Sequence, residues 1–350
     1  MPSRVKAALL GASGYTGADL LRLGINHPGL EFVALTANTH AGKPMASVFP
    51  HLGMAKLPDL VTNEAVDWTQ VDVVFCGLPH GASQAIIKDI VAASPKTRII
   101  DMSADYRLDD VELYARWYGA AHISPELQQE AVYGLTEHYR DRIRDARIIA
   151  CPGCYPTATL ISLLPLVKSG AISTDDMIID AKSGITGAGR GLKQNTLFSE
   201  AGESLSPYSV GNHRHTAELE QEIGKASGRQ VVVNFTPHLI PMSRGELITA
   251  HVKLAGATNA ADIRAAWAEA YAGEPFIRIT EQKETPATGH VRGSNWTLLN
   301  AVDDRIPGRV IVISALDNLV KGSAGQAIQN FNVAFGWPET TALEALPLFP

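Results

Sequence analysis

The sequence predicts an α/β protein built on a doubly wound parallel sheet, and three observations carry that reading. The chain has 350 residues, 45% hydrophobic and 19% charged, which suits two domains, each with a sizeable core. Residues 5–10 form an apolar run, residues 11–17 a glycine-rich turn, and Leu20, Leu21 and Leu23 mark an amphipathic helix behind it. Short buried runs then recur at 71–76, 98–101 and 148–150, with a helical stretch at 82–93 between the first two. Strands alternating with helices form a parallel sheet whose ligands sit at the strands' carboxyl ends.

Composition removes several classes. A net charge of −6 with no basic run argues against a nucleic-acid partner. No apolar run reaches the length of a membrane span, so no membrane partner is expected. Three cysteines and no leader segment point to a reducing, cytoplasmic setting. The expected partner is a small-molecule substrate. No linker or repeat marks a domain boundary.

Strand, glycine-rich turn and helix in that order make a dinucleotide site credible. The glycines Gly11, Gly14 and Gly17 let the backbone approach a pyrophosphate resting on the helix N-terminus. Ser13 stands where the usual pattern has its middle glycine. Residues 31–36 read as the second strand, followed by a polar loop with Asn38, His40 and Lys43. The strand at 71–76 ends at Pro79 and His80, and that at 98–101 ends before Ser103 and Arg107. The alternation places these residues on the rim that also carries Cys154.

Residues 146–164 contain the stretch with most chemistry. The strand at 148–150 ends at Cys151-Pro152-Gly153, and a helix opens at Cys154-Tyr155-Pro156-Thr157 with Leu160, Leu163, Leu164 and Val167 on one face. Pro156 suits a first helical turn, where a missing N–H costs nothing. A thiol at a helix N-terminus is biased towards the thiolate, so Cys154 is a candidate nucleophile. Two plainer readings compete: an inert core thiol, and a Cys151/Cys154 redox or zinc pair. Zinc would need further soft ligands, and the remaining cysteine is the distant Cys76, so no metal is expected.

The second half breaks the alternation. A strand at 177–183 leads into a glycine-rich loop, 184–191, whose backbone N–H groups and Arg190 suit an anion. His213-Arg214-His215 precedes a helix capped by Thr216, with Glu218 and Glu220 in its first turn. One of the two histidines suits a general acid–base role. Strands are expected at 231–235, 247–254 and 309–315, the second alternating as in a sheet open on one face. Helices are expected at 260–272 and 323–335.

Seven motifs occur in one order: Gly11-x-x-Gly14-Tyr15-x-Gly17, Ser103-Ala104-Asp105-Tyr106-Arg107, Pro152-Gly153-Cys154-Tyr155-Pro156-Thr157, Ser183-Gly184-Ile185-Thr186-Gly187-Ala188-Gly189-Arg190, His213-Arg214-His215, Pro237-His238-x-x-Pro241-Met242-x-Arg244-Gly245 and Asp317-Asn318-Leu319-x-Lys321-Gly322. Together they resemble the N-acetyl-gamma-glutamyl-phosphate reductase family of arginine biosynthesis, within the aspartate-semialdehyde-dehydrogenase-like enzymes. The resemblance covers residues 5 to about 337. It implies a Rossmann-type domain, residues 1–150 and 317–350, interrupted by an α+β catalytic and dimerisation domain, residues 151–316, in a homodimer or homotetramer. It implies an NADPH-dependent reductase of an acyl phosphate, with Cys154 as nucleophile and His213, or else His215, as base. Ser103, Arg107, Arg190, Arg214 and Arg244 are the expected substrate and phosphate residues. Gly11, Ser13, Gly14, Tyr15, Thr16, Gly17, Thr36, Asn38, Ser183, Gly184 and Asn318 are the expected cofactor residues. Ser243 and Thr186 are small departures from the family pattern that remove no functional group.

The cofactor choice also has a reading of its own. An NAD site carries a carboxylate near the end of the second strand, for the ribose 2′-hydroxyl. No carboxylate lies between Glu31 and Asp59. Thr36, Asn38, Thr39, His40 and Lys43 instead offer donors and positive charge, so NADP(H) is expected. The alternatives are a reductase of aspartyl or carrier-linked aminoadipyl phosphate, and a nucleotide-binding redox switch using Cys151 and Cys154.

Overall fold

The structure is a computed structural model describing residues 4–349. It divides into two compact units. The first runs to Pro152 and takes back Ser323–Glu344; the second holds Gly153–Gly322 and the tail from Ala345. The second unit thus keeps residues 317–322 and the tail, which the sequence reading gives to the first. Local bonds account for this: the buried Asp317 accepts the Gly293 N–H at 2.7 Å, and Leu348 donates to the Arg292 carbonyl at 2.8 Å.

The first unit is a seven-stranded, all-parallel sheet. Its strands are β1 (Val5–Leu10), β2 (Leu30–Thr36), β3 (Leu60–Val61), β4 (Val73–Cys76), β5 (Arg98–Asp101), β6 (Ala131–Tyr133) and β7 (Ile148–Ala150), in the order β3-β2-β1-β4-β5-β7-β6. Leu9, Val74, Phe75, Ile99, Ile100, Ile148 and Ile149 are fully buried, as strands covered on both faces must be. The chain goes out to β2 from β1 and returns to β4 on its other side, so the strand order reverses between β1 and β4 and opens a crevice there. The helix Gly325–Ala334 closes the unit, buried along its length. Its polar side chains are paired: Asn330 accepts from Thr136 Oγ1 and donates to the Gly134 carbonyl, and Asn332 meets His27 at 2.8 Å. β3 and β6 escaped the sequence reading because two or three residues carry no period.

The second unit is a mixed seven-stranded sheet: β8 (Met177–Gly184), β9 (Ser206–Pro207), β10 (Val233–Ile240), β11 (Glu246–Lys253), β12 (Ile277–Ile279), β13 (Thr297–Asp303) and β14 (Arg309–Leu316), ordered β12-β13-β14-β11-β8-β10-β9. β10 runs on through Pro237, past residue 235 where the strand is expected to end. Only the short β9 lies outside it, so one missing donor is tolerated there. One face of β11 is buried and the other half-exposed in strict alternation. The buried face packs on the helix Cys154–Lys168, which is itself buried from Tyr155 to Val167. Pro165 has no N–H for the Ile161 carbonyl one turn back. The Tyr271 hydroxyl donates to that carbonyl, and Trp267 Nε1–H donates to the Ser162 carbonyl at 2.8 Å. Among the described residues no helix is long and apolar enough to cross a membrane.

Candidate active site

In the first unit the glycine turn sits at the reversal of strand order. Gly11 has φ +74°, and a Cβ there would stand 2.6 Å from the Gly77 carbonyl oxygen, so the two turns after β1 and β4 touch backbone to backbone. A Cβ on Gly17 would come within 2.9 Å of the Gly11 and Ala12 oxygens. Gly14, the N-cap of the helix Tyr15–Gly24, has only the Gly11 oxygen at 3.5 Å. Among the described residues no other atom beyond its chain neighbours lies within 4 Å of a Cβ built there, and no acidic residue stands in the first turn, which suits a pyrophosphate. Ser13, Tyr15 and Thr16 line this turn. Thr36 is buried at the end of β2, its carbonyl held by the Ala12 N–H at 2.9 Å. Asn38 is exposed just beyond, with Lys43.

Ser103 and Arg107 close a buried network in the same unit. Ser103 Oγ donates to Asp101 at 2.8 Å and meets Ser83 Oγ at 2.9 Å. Burial raises the Asp101 carboxyl to about 6. Arg107 Nε donates to the Cys151 carbonyl at 2.8 Å and its Nη2 to the Met102 carbonyl at 3.1 Å. Those bonds tie the ends of β5 and β7 together. Cys151 is fully buried; desolvation pushes its thiol up to about 12, and Asn330 Nδ2 lies 3.5 Å from its sulfur. Cys76 is likewise buried, its thiol raised well above the usual range by desolvation. All three cysteines are thiols, and only Cys154 is partly exposed.

Cys154 is the first residue of its helix, with Gly153 as N-cap. Two groups of the second unit meet its cap. The Gly153 N–H donates to Glu218 Oε2 at 3.1 Å, and Glu218 is fully buried. A Cβ on Gly153 would stand 2.4 Å from His215 Nε2, which lies 3.9 Å from Glu218 Oε1. The glycine is required because the imidazole rests on it. Glu246 is fully buried at the start of β11, with no hydrogen-bond partner on either carboxyl oxygen among the described residues, and burial raises it to about 8. A Cβ on Gly322 would come 2.8 Å from Cys154 Cβ.

His213 takes a different place. Its ring packs against Tyr155, Tyr208, Phe235 and His215. Its Nδ1 accepts the His215 N–H at 3.2 Å, and burial, with the charge of Arg214, lowers it to about 4. His213 is therefore neutral at pH 7. Arg190 and Arg214 are exposed. Arg244 lies 3.5 Å from the buried Asp317. Ser183, Gly184 and Asn318 knit the second unit's own loops. Asn318 accepts from Gly245 N–H and donates to Thr186 Oγ1, and a Cβ on Gly184 would strike the Met242 and Ser243 oxygens.

Residues 6–146 match the model of the semialdehyde dehydrogenase NAD-binding domain, and residues 154–318 that of the semialdehyde dehydrogenase dimerisation domain. The N-acetyl-gamma-glutamyl-phosphate reductase of Rhodospirillum rubrum is 53% identical over all of both chains. That of Afipia carboxidovorans is 49% identical over 98% of each. The chain belongs to the N-acetyl-gamma-glutamyl-phosphate reductase family. It is accordingly an NAD(P)-dependent oxidoreductase. A probable chloroplastic reductase of rice is 49% identical over 99% of this chain and 83% of its own. Among solved structures, aspartate semialdehyde dehydrogenase II of Vibrio cholerae superposes with TM-score 0.73 at 16% identity, covering 95% of this chain and 99% of that one. The Candida albicans enzyme with NADP gives 0.68 at 18%, covering 95% and 98%. These two share the α/β fold of this chain.

Against that family frame, Glu218 and Glu246 are the residues that sequence reasoning missed. Glu246 did leave a signal: it lies in phase with Ile248, Ala250 and Val252, the buried face of β11, where a carboxylate needs a reason. Glu218 and Glu222 sit four residues apart on the buried side of the helix His215–Ser227.

Proposed function

We propose that the chain reduces N-acetyl-gamma-glutamyl phosphate to N-acetylglutamate 5-semialdehyde and phosphate, with NADPH, through a thioester on Cys154, as a step of arginine biosynthesis. The observation carrying this is Cys154 itself: the one partly exposed thiol of three, opening a helix whose cap meets an imidazole and a buried carboxyl group. Cys154 attacks the gamma-acyl carbon, the C–S bond forms, and the bond to the phosphate oxygen breaks with its electron pair leaving on phosphate. NADPH, when bound, supplies the hydride that reduces the thioester. Collapse of the resulting thiohemiacetal returns the electron pair to sulfur and frees the aldehyde.

The base assignment moves from His213 to His215. His215 Nε2 rests against the cap of Cys154, and Glu218 stands where it orients and stabilises an imidazolium. His213 is proposed to hold the His215 segment through its Nδ1. Arg190, Arg214 and Arg244 are proposed for the phosphate and the alpha-carboxylate, since a guanidinium fork fits both. Arg107, with two of its donors on carbonyls, contributes fixed positive charge, and Ser103 holds its network. Gly11, Ser13, Gly14, Tyr15, Thr16, Gly17, Thr36 and Asn38 are proposed to hold the cofactor. The half-exposed face of the second sheet, with Ile178, Ile311 and Ile313, supports a homodimer or homotetramer. A thiol nucleophile suits a reducing cytoplasm.

The test is the reverse reaction. Phosphate-dependent NADP reduction should proceed with N-acetylglutamate semialdehyde and fail with aspartate semialdehyde. Cys154→Ser should abolish it while NADPH still binds, and Cys151→Ser should keep most of it. Equal loss in both variants would favour a Cys151–Cys154 redox pair.

A further inference from the structure

In the first unit the turn after β4 forms one wall of the crevice at the reversal of strand order, and it is held at both ends. At its start the Gly77 N–H donates to the Leu10 carbonyl at 2.9 Å, and the Gly77 carbonyl oxygen is the atom that a Cβ on Gly11 would strike. Pro79 and His80 follow, both exposed, and Gly81 turns the chain at φ +80°. The helix Ser83–Ala93 comes next. Its N-cap is Ala82, which has no capping side chain, so the N–H groups at its start need an acceptor from elsewhere. That acceptor is Asp105, a fully buried residue after β5. Its Oδ1 accepts the Gly81 N–H at 2.8 Å, and its Oδ2 accepts the Ser83 N–H at 3.1 Å and the Ser83 hydroxyl at 2.7 Å. The Tyr114 hydroxyl, from the helix Val111–Tyr118, donates to Oδ1 at 2.8 Å. The Asp105 backbone is fixed in turn: its N–H donates to Ser103 Oγ at 3.2 Å, and its carbonyl meets His122 Nε2 at 2.9 Å. Buried donors left without their acceptor would cost more than the bonds themselves contribute. The far end of the wall is thereby fastened to the core.

We propose that Asp105 is a positioning residue for the cofactor: from within the core it holds residues 78–82 in the arrangement that accepts NADPH, and so sets NADPH affinity. The inference rests on the NADPH reading above and names what keeps that site shaped before the cofactor arrives. The exposed span 78–80 has little to hold it locally. Pro79 has no N–H to give, and Gly81 has no side chain and the widest choice of backbone conformations. Its place is set by the two anchors, Gly77 on Leu10 and Gly81 with Ser83 on Asp105. A loop that kept this place only part of the time would bind NADPH more weakly in proportion to that fraction.

Fluorescence titration of the purified protein with NADPH tests this without any substrate. Asp105→Ala removes both acceptor oxygens and should weaken NADPH roughly tenfold, as when the loop keeps its place about a tenth of the time. Asp105→Asn should bring affinity back to within about threefold of the unmodified protein, because one amide oxygen at the Oδ2 position still reaches the Gly81 N–H, the Ser83 N–H and the Ser83 hydroxyl. Tyr114→Phe is the control for stability. It takes a donor from Asp105 and none from the loop, so Tm should fall while NADPH affinity stays within about twofold. Should Asp105→Ala not fold, Ser83→Ala takes its place, with a loss of about threefold expected from the one bond removed. Unchanged affinity in Asp105→Ala, or in Ser83→Ala where it stands in, would overturn the proposal. So would an Asp105→Asn variant as weak as Asp105→Ala, or a Tyr114→Phe variant as weak, since the latter pattern belongs to general loss of stability. An unmodified protein that binds no NADPH would overturn the cofactor reading and this inference with it, whereas unchanged variants overturn this inference alone.

Discussion

At Gly153 a missing side chain makes room for an imidazole, and the glycine N–H fixes the carboxylate that faces that imidazole. His215→Asn should therefore lower kcat by roughly 10²–10⁴, the range for losing a general acid–base group. His213→Asn should cost much less, because an amide can still accept the His215 N–H. Steady-state kinetics at pH 7 compares them, and the reverse ranking would return the role to His213. Glu246 makes a second prediction, on stability. Its folded pKa lies near 8, above the ordinary carboxylate value. Between about pH 4.5 and 8 the folded state then binds more protons than the unfolded one, so this group's contribution falls as pH rises. His213, lowered to about 4, works oppositely, but only below its ordinary value of 6.5. Above pH 6.5 Glu246 acts alone of the two. Denaturant melts should show Glu246→Gln gaining on the unmodified protein from pH 6.5 to 8, by at most about 1.4 kcal/mol per unit. A constant difference over that range would contradict the buried neutral acid.

Among the elements, the helix Cys154–Lys168 shows how far the sequence reaches. Its start was legible from Cys-Pro-Gly followed by Pro156, and its apolar face from the leucine spacing. That it is buried on every side was not legible, because what covers it comes from distant segments: the Ala260–Ala270 helix, the His215–Ser227 helix and two strands. Pro165 reads as a helix stop, yet the helix passes through it with the Tyr271 hydroxyl on the orphaned Ile161 carbonyl. Tyr271→Phe leaves that buried acceptor unmet and should cost about 1–3 kcal/mol, read as a lower Tm with kcat near normal. An unchanged Tm would mean that the carbonyl finds another donor. β13 was missed altogether. Thr297–Ala301 is buried without a break, and such a run has neither a two-residue nor a 3.6-residue period. Cys154 in the second unit and the glycine turn in the first were each readable locally. Glu218 and Glu246 were not assigned: the Gly153 N–H that holds Glu218 lies 65 residues away in sequence, and the burial of Glu246 comes from segments that only folding brings together.

For the whole molecule, the α/β architecture followed from the order of strands, glycine turns and helices, and the family frame from seven motifs spread over nearly the whole chain. The cofactor follows at this scale too. With Thr36 buried at the end of β2 and no carboxylate between Glu31 and Asp59, kcat/KM should be clearly higher for NADPH than for NADH. Thr36→Asp should erode that preference by repelling the 2′-phosphate. Equal values for the two cofactors in the unmodified enzyme would contradict the assignment.

A covalent thioester on Cys154 can be read directly in one measurement. The enzyme is mixed with N-acetylglutamate semialdehyde and NADP, with phosphate left out, and followed by NADPH absorbance and intact-protein mass. A burst of about one NADPH per Cys154 is expected, as when an acyl-enzyme accumulates, with a single N-acetylglutamyl group mapped to that residue and absent from Cys154→Ser. No burst before phosphate is added, or an acyl group found on any other residue, would contradict it.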